Sequence, residues 1–294
     1  MPEQAAAEFA PLLDAVRAQE KRHIRIADPR WPSNAKVAVN FTLDFDAMLL
    51  RRLLNEPPLQ LAKGEFGGRV GIWRLLELFE QHKIKATIFT PGRICELYPE
   101  SIVAAAKAGH EIADHMWEHR VPPEADIERA HLVRACEAIE KLAGRRPPGS
   151  RSRHTPELLH ELGMIYKSRP SSYDRPHIEV HKRGNLMSLP FHYAIDDAMY
   201  FNFSWLNTEN ASQRITDTDR VYDMWWNAFL HEYSTGTGYL NVCLHPFVSG
   251  RSLRVAMLDR LITSMKAMPG VWFATSEEMA LHCMTLDVFK EKRA

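Results

Sequence analysis

The sequence lacks the features that mark exported, membrane-spanning or nucleic-acid-binding proteins. Lys plus Arg and Asp plus Glu number 37 each, so the formal charge is zero and no basic surface for nucleic acid is expected. No window approaches the roughly 18 to 20 consecutive apolar residues of a membrane span. Residues 1–23 have no basic start followed by a long apolar core. We therefore predict no secretory signal and a soluble, cytoplasmic protein.

Cysteine is scarce, and the glycine motifs of nucleotide-binding proteins are missing. The four cysteines are far apart and form no C-x-x-C pair, which favours reduced core residues of a cytosolic protein. Neither a G-x-G-x-x-G stretch nor a Walker sequence is present, which argues against a nucleotide site. The chain also has no internal repeat and no low-complexity tract.

What the sequence does contain is a strand and helix alternation along its whole length. Apolar runs at residues 36–43, 84–90 and 239–244 predict buried strands. Residues 69–82 place apolar side chains on one face of a helix. Such alternation predicts an α/β fold with a parallel sheet. About seven strands without a linker-like break favour one closed, TIM-like barrel, and a doubly wound open sheet is the alternative.

The same pattern predicts the domain organisation. We assign residues 1–294 to a single barrel domain with a short N-terminal extension over about residues 1–35. Residues 50–68 are predicted to form a loop that covers a pocket.

Two acids stand at the end of the first predicted strand, in the stretch VNFTLDFDAMLL. Asp44 and Asp46 are two residues apart, so both can point the same way from one strand edge. Burying an ionised carboxylate costs several kcal/mol unless it is paired or bound to a metal. Functional groups of a parallel barrel gather at the C-terminal ends of its strands. The pair is therefore a candidate functional site.

Two histidines follow the third predicted strand, in DHMWEH. The spacing of His115 and His119 places both imidazoles on one face of a helical turn. Two imidazoles and a carboxylate leave room for water, which is the layout of a catalytic zinc site. The strand-end acids supply such a carboxylate, although this ligand set also accepts cobalt, nickel or manganese.

Two further polar residues occupy positions typical of functional groups. Arg151, after a Pro-Gly turn in PPGSRSR, is either a solvated loop side chain or a group that keeps a carboxylate ionised. His245 ends the strand YLNVCLH, a position that favours a functional role over core packing.

These four elements, in this order, resemble the polysaccharide deacetylase superfamily with NodB homology, from about residue 37 to residue 280. The resemblance implies a distorted (β/α)7 barrel. It also implies a role for each motif residue: general base for Asp44, metal ligands for Asp46, His115 and His119, support of the base for Arg151, and general acid for His245. The implied cofactor is a divalent metal, with Zn²⁺ preferred.

The sequence departs from the glycan-active members of that superfamily. Those read T-F-D-D-G at the first motif, whereas this chain reads L-D-F-D-A. The phrases HPFVSGR and LPFHYAIDDAMYF resemble the intracellular branch that holds cyclic imide hydrolases, allantoinase-like enzymes and some peptidoglycan deacetylases. We therefore expect an amidohydrolase of non-peptide C–N bonds that opens small cyclic imides. The alternatives are an N-deacetylase of amino sugars or peptidoglycan, an allantoinase-like ureide hydrolase, and a non-catalytic barrel.

The expected partner is a small-molecule cyclic imide or ureide, with no nucleic acid and no membrane. Trp205, Trp225 and Trp226 either wall a small flat pocket or pack in the core or a subunit interface. Relatives in the resembled branch assemble as tetramers, so the resemblance implies a homo-oligomer, either a tetramer or a dimer.

Overall fold

A curled, mostly parallel sheet carries the candidate residues at one edge. The computed structural model describes residues 23–25, 29–53, 55–56, 58–171, 173–181, 184–201 and 217–286. Within these ranges the strands are β1 His23–Arg25, β2 Val37–Asp44, β3 Thr87–Thr90, β4 Glu111–Asp114, β5 Gly149–Ser150, β6 Tyr166–Lys167, β7 His177–His181, β8 Gly184–Ser188, β9 Gly238–Leu244 and β10 Val271–Phe273.

Helices follow most of the strands. The α-helices are α1 Leu49–Leu53, α2 Pro58–Phe66, α3 Ile72–His82, α4 Gly92–Leu97, α5 Pro99–Lys107, α6 Ala125–Ala143, α7 Pro156–Glu161, α8 Asp197–Phe201, α9 Thr218–Ser234, α10 Pro246–Ser249, α11 Ser252–Lys266 and α12 Ser276–Met284. Short 3₁₀ turns cover Pro32–Asn34 and Tyr193–Ile195, and a π-helical turn covers Gly67–Gly71.

The strand order is β1-β7-β8-β6-β5-β4-β3-β2-β10, and β9 pairs with β2. Neighbouring strands from β2 to β6 are parallel, and antiparallel pairing is confined to the contacts of β7 with β1 and β8. The predicted α/β fold with a parallel, barrel-like sheet is confirmed. Among the described helices, none combines the length and the apolar content that crossing a bilayer requires.

The register between β2 and β9 sets the position of the candidate site. The two strands run parallel, with Thr42 opposite Cys243 and Leu43 opposite Leu244. Because side chains alternate along a strand, Asp44 and His245 point to the same face. Both residues therefore project from the C-terminal ends of adjacent strands into the concave side of the sheet.

The outer face of β2 anchors this register in the hydrophobic core. Phe41, Leu43 and Phe45 are buried against α3, where the Phe41 ring lies 5.7 Å from the ring of Phe79. At the other end of β9, the indole of Trp31 donates a 2.7 Å hydrogen bond to the carbonyl of Gly238. The central strand pair is thus fixed from its outer face and from its N-terminal end.

The prediction of a loop over residues 50–68 is wrong, because helices α1 and α2 and the π-helical turn occupy this segment. A glycine that follows the segment allows close packing. A Cβ at Gly71 would lie 2.0 Å from the carbonyl oxygen of Pro246, so only glycine lets this turn contact α10. The segment packs directly beside the residues that follow His245.

Part of the predicted N-terminal extension joins the sheet. His23–Arg25 pairs antiparallel with β7, while residues 1–22 lie outside the described ranges. Of the three tryptophans considered as pocket walls, Trp225 is fully buried in the core and donates to the carbonyl of Ala194 at 3.0 Å. Trp226 stacks on Phe229 at 5.0 Å, and Trp205 lies outside the described residues.

Trp225 provides a test of this packing. Trp225→Ala should lower the free energy of unfolding by about 3–5 kcal/mol, because it leaves a large cavity and removes one of the hydrogen bonds to the carbonyl of Ala194. The neighbouring Met224 is 40% exposed, so Met224→Ala should change stability by less than about 0.5 kcal/mol. Urea unfolding of both variants measures the difference, and equal losses would contradict the placement of Trp225 in the core.

Candidate active site

The structure brings one carboxylate and two imidazoles to a common point. Asp46 Oδ1 lies 3.3 Å from Nε2 of His115, and Asp46 Oδ2 lies 3.5 Å from Nε2 of His119. The two imidazole rings meet edge to face, with centroids 4.7 Å apart. Each of the three residues offers one ligand atom, and these atoms lie within 4.8 Å of one another, close enough to bind a single cation.

The polar atoms of this group fit a cation. Both carboxylate oxygens of Asp46 and Nε2 of His115 are buried, and in the described part of the chain they have no hydrogen-bond partner. Nδ1–H of His115 donates to the carbonyl of Arg151, which leaves the lone pair of Nε2 facing Asp46. Buried polar atoms without partners are costly, and a divalent cation would satisfy all three.

The ionisation of Asp46 suits the same role. Burial alone would raise the pKa of this carboxyl, but His119 and His115 outweigh burial and hold the pKa well below its usual range. A carboxylate that stays ionised is the form that a metal requires.

A turn, not a helix, presents the two histidines, so the predicted helical placement is wrong. Met116 and His119 both have positive φ, at 69° and 60°. The carboxylate of Asp114 stabilises this turn: Oδ1 accepts from the backbone N–H of Met116 at 3.1 Å, and Oδ2 accepts from Ser150 Oγ at 2.5 Å. The i, i+4 spacing was a sound signal for proximity but not for helical geometry.

Arg151 is buried and bonded to Asp44, so the solvated-loop alternative is wrong. Its Nη1 donates to Asp44 Oδ1 at 2.7 Å, and Nη2 donates to Ser168 Oγ at 2.9 Å. The guanidinium carbon lies 4.2 Å from the ring centre of Phe89 and 4.3 Å from that of Phe191. The two rings and these hydrogen bonds thus fix the guanidinium beside the carboxylate.

His245 is held by an acid that the sequence analysis did not assign. Asp197 Oδ1 lies 2.8 Å from Nδ1 of His245, and Oδ2 accepts from the backbone N–H of His245 at 2.9 Å and from Ser249 Oγ. Burial lowers the pKa of His245, but the carboxylates of Asp197 and Asp196 outweigh burial and raise it to about 10. The same carboxylates favour the protonated form of the imidazole.

Asp44 is the point at which these groups meet. Its Oδ2 lies 3.8 Å from Nε2 of His115 and 4.0 Å from Nε2 of His245. A molecule placed between these side chains would face a carboxylate, a potential cation and a protonated imidazole together. This combination permits activation of water and protonation of a leaving group.

The centre opens to solvent at one residue. Five of the six predicted residues are at most 6% exposed, whereas the His119 side chain is 23% exposed. A cavity of about 550 Å³ lies elsewhere, between α9, β9 and the segment before Tyr193–Ile195, and Phe191 forms part of its wall. None of the six predicted residues lines it. Access to the centre is therefore expected past His119.

Comparison with known proteins gives consistent matches. A sequence profile described as polysaccharide deacetylase matches residues 66–165. The crystal structure of a candidate polysaccharide deacetylase from Mycobacterium smegmatis is 32% identical and superposes with a TM-score of 0.80, covering 89% of this chain and 95% of that one. A peptidoglycan deacetylase from Helicobacter pylori is 27% identical over 258 residues, which cover 76% of this chain and 87% of that protein.

One similar structure carries a different name. The PuuE allantoinase superposes with a TM-score of 0.79 at 24% identity, covering 90% of this chain and 95% of that one. At this identity the likeness concerns the fold.

The cation site can be tested without a substrate. Asp46→Asn should lower the Zn²⁺ or Co²⁺ bound by chelator-treated protein by one equivalent, because the amide cannot replace the ionised ligand. Asp44→Asn, two residues away on the same strand end, should retain that equivalent. Equilibrium dialysis measures both, and undiminished binding by Asp46→Asn would place the cation elsewhere.

Proposed function

Because this chain belongs to the polysaccharide deacetylase family, we propose that it is a metal-dependent N-deacetylase of N-acetylated amino sugars in peptidoglycan-type glycans. The observation that carries the proposal is the convergence of a cation-ligand group, an arginine-held carboxylate and an aspartate-held imidazole around Asp44. The similarity to the peptidoglycan deacetylase of Helicobacter pylori supports the choice of substrate class.

Asp46, His115 and His119 are the residues that would hold the metal. When bound, a divalent cation would supply Lewis acidity, which polarises an amide carbonyl and makes water more acidic. The remaining steps belong to the side chains of the chain itself.

Asp44 is placed to act as the general base. Arg151 fixes its Oδ1, so Oδ2 is the oxygen turned toward His115 and the cation-ligand group. In the proposed reaction this carboxylate accepts one proton from the water that adds to the acetamide carbon. General base catalysis of this kind contributes about 10²–10⁴ in rate.

His245 is placed to act as the general acid. Its Nε2 faces Asp44, and Asp197 holds the opposite ring nitrogen and so fixes the orientation of the imidazole. In the proposed reaction His245 gives its proton to the sugar nitrogen as the C–N bond breaks. The products are acetate and a free amine. The proton that Asp44 took from water replaces the proton that His245 gave to the amine, so the total number of protons is unchanged.

A cyclic imide or ureide is the second candidate substrate. The burial of five of the six residues favours it, because a small flat ring enters such a site more readily than a polymer does. The comparisons favour the deacetylase, so the imidase expected from the sequence ranks second. Zinc as the metal, a cytoplasmic location and a homo-oligomer remain predictions, and so does the single-domain organisation.

Two assays on the same preparation decide between the substrates. We expect acetate release from chitooligosaccharides or peptidoglycan fragments, and no loss of ultraviolet absorbance from succinimide or hydantoin. Asp44→Asn should lower the productive rate by about 10²–10⁴ and serves as the background control. Imide loss without acetate release would overturn the deacetylase in favour of the second candidate.

The role of His245 predicts a dependence on the leaving group. His245→Gln should lower kcat by about 10²–10⁴ for an N-acetyl amino sugar, whose amine leaves poorly without a proton. An N-acetyl nitroarylamine expels a far weaker base, so its hydrolysis should be much less affected. Equal losses for both substrates would argue against general acid catalysis by His245, and the metal bound by Asp46, His115 and His119 should be unchanged in either case.

A further inference from the structure

A second group of metal-ligand atoms lies next to the first, and Asp44 Oδ2 is within 4.0 Å of a histidine of each group. Asp196, Cys243 and His245 are all buried and each offers one ligand atom, with the three atoms within 4.8 Å of one another. Cys243 precedes His245 by two residues on the same face of β9, and the backbone of Asp196 bridges that of Cys243. We infer that these residues form a second cation site, which prefers soft divalent ions such as Cd²⁺ and Zn²⁺.

The ligand types support this choice of ions. A thiolate and an imidazole select zinc-like and softer metals over magnesium or calcium. Asp44 Oδ2 lies 3.9 Å from Cys243 Sγ, which places a further carboxylate oxygen beside the group. The four side chains together provide one sulfur, one nitrogen and oxygen ligands, a set that zinc accepts in proteins.

The surroundings of the sulfur favour a thiolate once a cation is present. Arg151 Nη1 donates to Cys243 Sγ at 3.1 Å, and a hydrogen bond of this kind supports a ligand from outside the metal's own shell. The structure itself keeps Cys243 as a thiol, because burial and the carboxylates of Asp44 and Asp196 raise its pKa well above the usual value. Metal binding would therefore release the thiol proton.

The charges around the centre allow a cation to replace the protons of Cys243 and His245. The carboxylates of Asp44, Asp46, Asp196 and Asp197 surround the centre, facing the guanidinium of Arg151, an imidazolium at His245 and the cation proposed for the first site. Replacing the protons of Cys243 and His245 by one divalent cation leaves the total charge unchanged. The second ion therefore adds no uncompensated charge to a buried region.

Occupation of this site would compete with catalysis. The ion would remove the proton that His245 delivers and would attract Asp44 away from its role as base. An excess of a soft cation would thus inhibit an enzyme that needs one equivalent for activity. This inhibition rests on the proposed function, whereas the binding itself does not.

Cadmium alone is the probe for binding. Chelator-treated protein should bind two equivalents of Cd²⁺, and occupancy of the second site should give the ultraviolet charge-transfer absorption of a cadmium–thiolate bond. Cys243→Ser should bind one equivalent without that absorption, while Cys136→Ser, which removes another buried thiol, should behave like the unaltered chain. Asp46→Asn should keep one equivalent together with the absorption.

Each result separates the two sites. Absence of the thiolate absorption in the unaltered chain, or two equivalents bound by Cys243→Ser, would overturn the second site. If the unaltered chain binds a single equivalent of Cd²⁺ and shows the thiolate absorption, the second site stands. The missing equivalent would then be the one that depends on Asp46, and its absence would count against the proposed function. Excess Zn²⁺ should reduce deacetylation by roughly 10² or more in the unaltered chain and in Cys136→Ser, but not in Cys243→Ser.

Discussion

The structure depends on one electrostatic constraint: a buried cluster of carboxylates has to be matched by positive charge. Asp44, Asp46, Asp196 and Asp197 are each at most 6% exposed and gather around one point at the edge of the sheet. Burying even one ionised carboxylate without compensation costs several kcal/mol. Arg151 matches Asp44 and His245 matches Asp197, but among the described residues the oxygens of Asp46 face only two imidazoles. A divalent cation bound at Asp46 would supply the positive charge that the cluster still lacks.

The fold supplies this compensation from elements that are far apart in the chain. Asp44 ends β2, Arg151 follows β5, and Asp197 begins α8, yet each contact is closed by rigid neighbours. Arg151 lies between two phenyl rings, and the turn of His115 is fixed both by Asp114 and by the carbonyl of Arg151. The carbonyl of Arg151 orients a cation ligand while its side chain orients the base. Arg151 therefore links the cation-ligand group to the general base, through its carbonyl on one side and its guanidinium on the other.

The sequence predicted what periodicity and strand ends encode, and it missed what tertiary contacts decide. Buried strands and the strand-end positions of Asp44 and His245 follow from local patterns, because a short apolar run bounded by polar residues is typical of a buried strand. The helices at residues 49–66 were missed, and the packing beside them depends on Gly71, where only glycine fits against the carbonyl of Pro246. That requirement arises from residues 175 positions apart in the chain, which no local pattern reveals.

Asp196 and Asp197 show where the same reasoning stopped short. Two acids close together after an apolar stretch are the signal that singled out Asp44 and Asp46, and the phrase AIDDAM contains a similar pair. The two acids then diverge in role: Asp197 bonds to His245, whereas Asp196 hydrogen-bonds the N–H of Ala198 and lies beside Cys243. One acid thus orients the imidazole for proton transfer, and the other places a ligand where a soft cation would compete for that same imidazole. The carboxylates that make the centre reactive are therefore also the source of its sensitivity to a second metal ion.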